Sequence, residues 1–85
     1  MTNADRYQGK INRFKAAIER GGVGLVQTAL GYGAFSSLEC AADALCRGQS
    51  EVIVANFLAD AQQRAEKFIG LQSDETVYDF LDNLR

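Results

Sequence analysis

The sequence predicts an all-α fold, a compact bundle of four to five helices whose short connections are punctuated by glycine. Three observations carry that prediction. Apolar residues recur at three- and four-residue spacing in most of the segments long enough to show a period. The chain has no proline, and most of its 8 glycines fall where they cut it into helix-length pieces. Hydrophobic residues make up 47% and charged residues 24%, the composition of a globular domain and not of a disordered chain.

The first helix spans about Ala4 to Arg20. Tyr7, Ile11, Phe14 and Ile18 recur at i, i+4, i+7 and i+11, one helical stripe. Thr2 or Asn3 can supply the N-cap, Asp5 suits the positive helix end, and Gly21–Gly22 makes a stop. Val23 to Leu30 is nearly all apolar and reads as a short buried helix. A strand competes, because so short a run does not separate the two periods. Gly31-Tyr32-Gly33 then breaks the chain.

A third helix is signalled by Ser36-Ser37-Leu38-Glu39, where Ser36 and Glu39 have the capping-box spacing. It turns Leu38, Ala41, Ala42 and Leu45 inward and stops at Gly48. Ser50 caps the longest helix, about Glu51 to Ile69. Its inner face is Ile53, Val54, Phe57, Leu58, Ala61, Ala65, Phe68 and Ile69. Asp60 and Arg64 pair on the outer face, and Gly70 with Leu71 fits a C-terminal cap and its hydrophobic contact. Ser73 serves as N-cap of the last helix, with Asp74 and Glu75 in its first turn. Val77, Phe80, Leu81 and Leu84 form its apolar stripe.

Eighty-five residues suit one domain over 1–85. A chain this short buries only about 60–65% of its unfolded surface, so a homodimer is an expected route to stability. The polar start MTNADRYQGK carries no signal-peptide pattern. The longest apolar runs fall far short of the ~20 residues of a membrane span. Cys40 and Cys46, six apart on one helix, point about 240° from each other and cannot bridge. They read as reduced, partly buried thiols in a cytoplasmic protein.

The residues disfavour catalysis. Without histidine the chain lacks the commonest general base and metal ligand, and every Ser-His or Cys-His arrangement. No GxxxxGK[ST] loop is present, and the glycines at Gly22, Gly24, Gly31 and Gly33 do not lead from a strand into a phosphate-cradling helix. Asp79 and Asp82 share the solvent side of an amphipathic helix, and Cys40 stands beside Glu39 with no base to activate it. We therefore expect no enzyme, no cofactor and no metal site.

The net charge is −2 and the pI about 4.9, opposite in sign to a typical nucleic-acid binder. The charge is uneven, basic over residues 1–20 and acidic over 73–85, and these ends can pack together or face two partners. The pattern suits a protein-interaction module that acts stoichiometrically by occupying a surface of another protein, as an inhibitor, immunity-type protein, adaptor or regulatory protein does. Small acidic helical proteins of plasmids and bacteriophages are of this type. Tyr32 and Phe35, in or beside a glycine-rich turn, are the candidate apolar anchors. Arg6, Lys10 and Arg13 form a basic stripe and are the candidate charged contacts.

The alternative is a helix-turn-helix nucleic-acid-binding regulator. The run Ala29-Leu30-Gly31-Tyr32-Gly33-Ala34-Phe35-Ser36 resembles the "A-x-GY-x-S" turn of AraC-type regulators, which implies duplex binding by the helix that follows. That helix carries Glu39 and Asp43 against Arg47 alone, with no Arg, Asn or Gln placed for base edges, so nucleic acid is disfavoured. Membrane-surface binding by the first helix ranks below both readings.

Overall fold

Four glycines with positive φ, Gly22, Gly31, Gly48 and Gly70, stand at the ends of the first four helices. The computed structural model of the protein describes residues 3–72 and 74–84, with side chains from residue 6 onward. In order along the chain are α1 (Asn3–Gly21), α2 (Val23–Leu30), α3 (Tyr32–Cys46), α4 (Glu51–Ile69) and α5 (Val77–Asp82). The short apolar segment 23–30 is a helix, but only its Val26 and Leu30 are buried, while Val23 and Leu25 are exposed. No strand occurs among the described residues.

The two joints around α2 are single residues. Gly22 sits at φ 88°, ψ 156° and Gly31 at φ 84°, ψ 152°. Residues with a β-carbon essentially do not adopt that backbone region, so each joint depends on glycine. The turn at Gly31 takes one residue and not three. The helix phase therefore starts at Tyr32, and Tyr32, Gly33 and Ser36 all lie inside α3. The predicted Ser36–Glu39 cap is displaced for this reason. Ser36 is an exposed residue within the helix, and Gly31 is the N-cap.

α3 and α4 form a hairpin and the most extensive packing pair. Ala34, Ala41 and Ala44 of α3 and Ala61 and Ala65 of α4 are all buried, so small side chains let the two helices close on each other. Ser50 caps α4 as predicted, its hydroxyl accepting from the Ile53 N–H. Gly70 closes α4 in the left-handed conformation, with its N–H donating to the Glu66 carbonyl. α1 lies against all four other helices and contributes Ile11, Phe14 and Ala17 to one continuous core with Val26, Leu30, Leu38, Val54, Leu58, Val77 and Leu81.

The start of the last helix differs from the prediction. α5 begins at Val77 with Thr76 as N-cap, in a reciprocal cap where Asp79 N–H donates to Thr76 Oγ1 and Thr76 N–H donates to Asp79 Oδ2. Gln62 of α4 fixes this start. Its Oε1 accepts from the Val77 N–H at 2.8 Å, and its Nε2 donates to the Glu75 carbonyl at 3.2 Å. Asp74 and Glu75 therefore precede the helix. The caps assigned to Ser73, and to Thr2 or Asn3, lie outside the described side chains.

Two further inward assignments fail. Ile53 points about 100° away from Val54 and is exposed. Phe68 lies within the core stripe by angle yet is 64% exposed, for a reason given below. Both cysteines are exposed and unbridged, and not partly buried. No described helix is long and apolar enough to cross a membrane.

Candidate functional site

The basic stripe of α1 meets the acidic face of α5. Arg13 donates from Nε to Asp82 Oδ2 at 3.0 Å and from Nη2 to Asp79 Oδ1 at 3.1 Å, with a further Nη2 bond to Asp82. These bonds, first that to Asp82, raise the Arg13 pKa. Asp79 is held below the usual carboxylate range, chiefly by the Thr76 hydroxyl and then by Arg13. Arg20, two turns further along α1, donates to the Leu81 carbonyl at 2.8 Å, an oxygen that also accepts from the Leu84 N–H. Of the two arrangements open to the charged ends, the structure has them packed together.

Tyr78 lies beneath this seam. The Lys10 ammonium stands 5.7 Å and the Arg13 guanidinium 5.6 Å from its ring centroid, both cations on the aromatic face. The residue is buried, and its hydroxyl finds no hydrogen-bond partner among the described residues. Burial pushes its pKa up to about 12, against a smaller opposing pull from Arg13. An open cleft of about 620 Å³ borders the seam, with Arg6 and Lys10 on one wall and Glu66, Asp74 and Glu75 on the other. Its opposed charges select neither sign of ligand.

The predicted charged contacts thus divide. Arg13 is bound within the molecule, Lys10 is partly so, and Arg6 alone is exposed at the cleft. The two aromatics divide more sharply. Phe35 is 3% exposed and packs edge-to-face on Phe14, with ring centroids 5.5 Å apart. It is a core residue and not an anchor. The early start of α3 places it beside Leu38 on the inner face. The same phase sends Tyr32 about 160° from Ala34, and Tyr32 is 76% exposed.

Beside Tyr32 lies the residue that the sequence reading turned inward. Phe68 and Tyr32 border a shallow cleft of about 430 Å³ at the end of the α3–α4 hairpin, floored by Gly31 and Gly33. The Phe68 ring lies so close to the Gly31 backbone that a β-carbon there would come within 3.1 Å of ring carbons. A β-carbon on Gly33 would come within 3.0 Å of Arg64 Nη1. Two successive turns of α4, at Arg64 and Phe68, therefore rest on glycines. A surface without side chains cannot wrap a phenyl ring, and Phe68 stays open to solvent although its helical angle points inward.

The rim of this cleft is basic. Arg64 Nε donates to Asp60 Oδ2 at 2.8 Å, and Asp60 also accepts from the buried Ser37 hydroxyl at 2.6 Å. These bonds, first that from Ser37, hold the Asp60 pKa below its ordinary value. Lys67 forms no ion pair among the described residues, and no carboxylate lines the cleft. The local signal for this site was a pair of glycines two residues apart facing a long helix end, which periodicity alone does not register.

Among the described residues, no group of three or more Cys, Asp and Glu is arranged to hold a metal ion. No family model matches the chain, and neither the curated proteins nor the solved structures give a significant match.

Proposed function

We propose that this protein is a small helical interaction module that acts stoichiometrically, occupying a surface of another protein as an inhibitor, immunity-type protein, adaptor or regulatory protein does. The observation that carries the reading is the uncovered pair Tyr32 and Phe68 at the hairpin end. A large aromatic exposed by 76% next to one exposed by 64% costs solvation free energy that docking would recover. Such aromatics are the residues that most often anchor interfaces. Tyr32 keeps the role of anchor, and Phe68 takes the place assigned to Phe35. Of the three predicted α1 contacts, Arg6 is the one whose side chain is exposed. The two unbridged cysteines fit a cytoplasmic setting, and a second copy of the chain is one form the partner can take.

The helix-turn-helix reading has less support. The α2–α3 joint is one residue, Gly31, where that motif uses three or four, and the exposed face of α3 carries Glu39 and Asp43 and no cation, Arg47 following as its C-cap.

The test is affinity capture from lysate of the source cell with and without nuclease treatment, comparing the natural chain with a Tyr32→Ala, Phe68→Ala double variant. A discrete protein recovered at stoichiometric yield with the first and lost with the second, while both stay folded, supports the reading. Recovery that depends on nucleic acid, or that the double variant leaves unchanged, overturns it.

A further inference from the structure

We infer that the cleft at the hairpin end recognises an acidic-apolar peptide segment of its protein partner, a large apolar side chain with an Asp or Glu one or two residues away. The inference rests on the docking reading above and specifies its chemistry. Both requirements are visible in the cleft. Its floor is backbone, since Gly31 and Gly33 present no side chain, so an incoming ring or branched chain can lie flat between Tyr32 and Phe68. Its rim holds Arg64, paired with Asp60 behind the rim, and Lys67, which forms no ion pair among the described residues, and no carboxylate lines the cleft, on a chain whose net charge is −2. That local reversal of sign favours an acidic partner at this point and repels a basic one.

The two cations are placed for different work. The stem of Arg64 is laid along Gly33, and its Nε is tied to Asp60, which in turn is fixed by the Ser37 hydroxyl from α3. A guanidinium held on one edge keeps its Nη groups free to donate, and no other hydrogen bond of that group forms among the described residues. Its orientation is set before the ligand arrives, which lowers the ordering cost of binding. Lys67, one residue before Phe68, is an exposed point charge that adapts to the carboxylate. A nucleic-acid backbone needs a longer basic track than two side chains, and the adjoining face of α3 carries Glu39 and Asp43.

The experiment uses the full chain, isotope-labelled, titrated with three capped probe peptides of one polar sequence that differ at two positions, Trp–Glu, Trp–Lys and Ala–Glu. Amide shifts report the site. The Trp–Glu probe is expected to perturb Gly31, Tyr32, Gly33, Lys67 and Phe68, and to bind about fivefold more tightly than Trp–Lys. Lys67→Glu, an exposed substitution that leaves the fold intact, is expected to reverse that order. Equal affinity for Trp–Glu and Trp–Lys at the same residues overturns the acidic specificity while leaving a docking surface in place. Absence of any shift at these residues overturns this inference, and lysate capture with the Tyr32, Phe68 double variant then still decides the parent reading on its own. Tight binding of Ala–Glu without the indole overturns the apolar half.

Discussion

The α1–α5 seam and the far end of the α3–α4 hairpin are built from similar materials, aromatic rings beside cations, yet they are arranged in opposite ways. At the seam, Tyr78 is buried, Arg13 is bound to two carboxylates, and Arg20 donates to a backbone carbonyl of α5. At the hairpin end, Tyr32 and Phe68 are open to solvent, and Lys67 has no ion pair among the described residues. The difference lies in what each aromatic faces. Tyr78 meets the long side chains of α1, which cover its ring. Phe68 meets Gly31, which covers nothing. One cluster completes the fold and the other leaves surface over, so the second is where the proposed partner would dock.

The sharpest way to break this contrast is to exchange the core aromatic. Phe35→Ala removes a ring packed on Phe14 and is expected to cost about 3–5 kcal/mol of unfolding free energy, read by urea denaturation. A small effect would place Phe35 at the surface and restore it as an anchor. Next in size, Gly31→Ala forces a β-carbon into φ 84° and to within 3.1 Å of the Phe68 ring. We expect a loss of about 1–3 kcal/mol together with displaced amide shifts at Phe68. An unchanged midpoint would mean that the joint is not held at that conformation.

The seam gives two smaller effects. Tyr78→Phe removes a buried hydroxyl without a partner and is expected to be stabilising by about 1 kcal/mol. It also changes the alkaline limb. The folded Tyr78 pKa of about 12 lies above the ordinary 10.0, so between those values the folded chain holds the proton that the unfolded chain releases. Stability is full below pH 10, falls as pH rises toward 12, and in Tyr78→Phe this part of the slope disappears. Arg13→Ala is expected to cost at most about 1 kcal/mol, less in high salt, because its ion pairs are partly exposed. Asp79 has a lowered folded pKa, so its contribution is present at neutral pH and lost on acidification through the folded value. Arg13→Ala should flatten that acid limb in a melting-point series against pH.

Helix class and most helix positions were legible in the sequence because glycine and apolar period agree along the chain. Glu51–Ile69 could be placed from residue type alone, and the glycines gave the bounds of Val23–Leu30, whose eight residues left helix and strand both open. The site was less legible, and the failures have specific causes. Ser36 and Glu39 have the spacing of a cap, but Gly31 turns the chain in one residue and lets the helix start five residues earlier, which moves Phe35 inside. Asp74 and Glu75 have the chemistry of a first helical turn, but Gln62, from a different helix, holds the start of α5 at Val77. Phe68 has the angle of a core residue, but angle does not say what stands opposite. Arg13 had the look of a free surface charge until the acidic helix was folded against it. Each miss involves a partner distant in sequence or a side chain that is absent.

Hydroxyl-radical footprinting of the dilute, purified chain, read side chain by side chain, tests the contrast most directly. Tyr32 and Phe68 are predicted to be oxidised readily, and Phe35 and Tyr78 to be protected. Protection of Tyr32 and Phe68 to the level of Phe35 would contradict the account, since the hairpin end would then already be covered and could not be the docking surface.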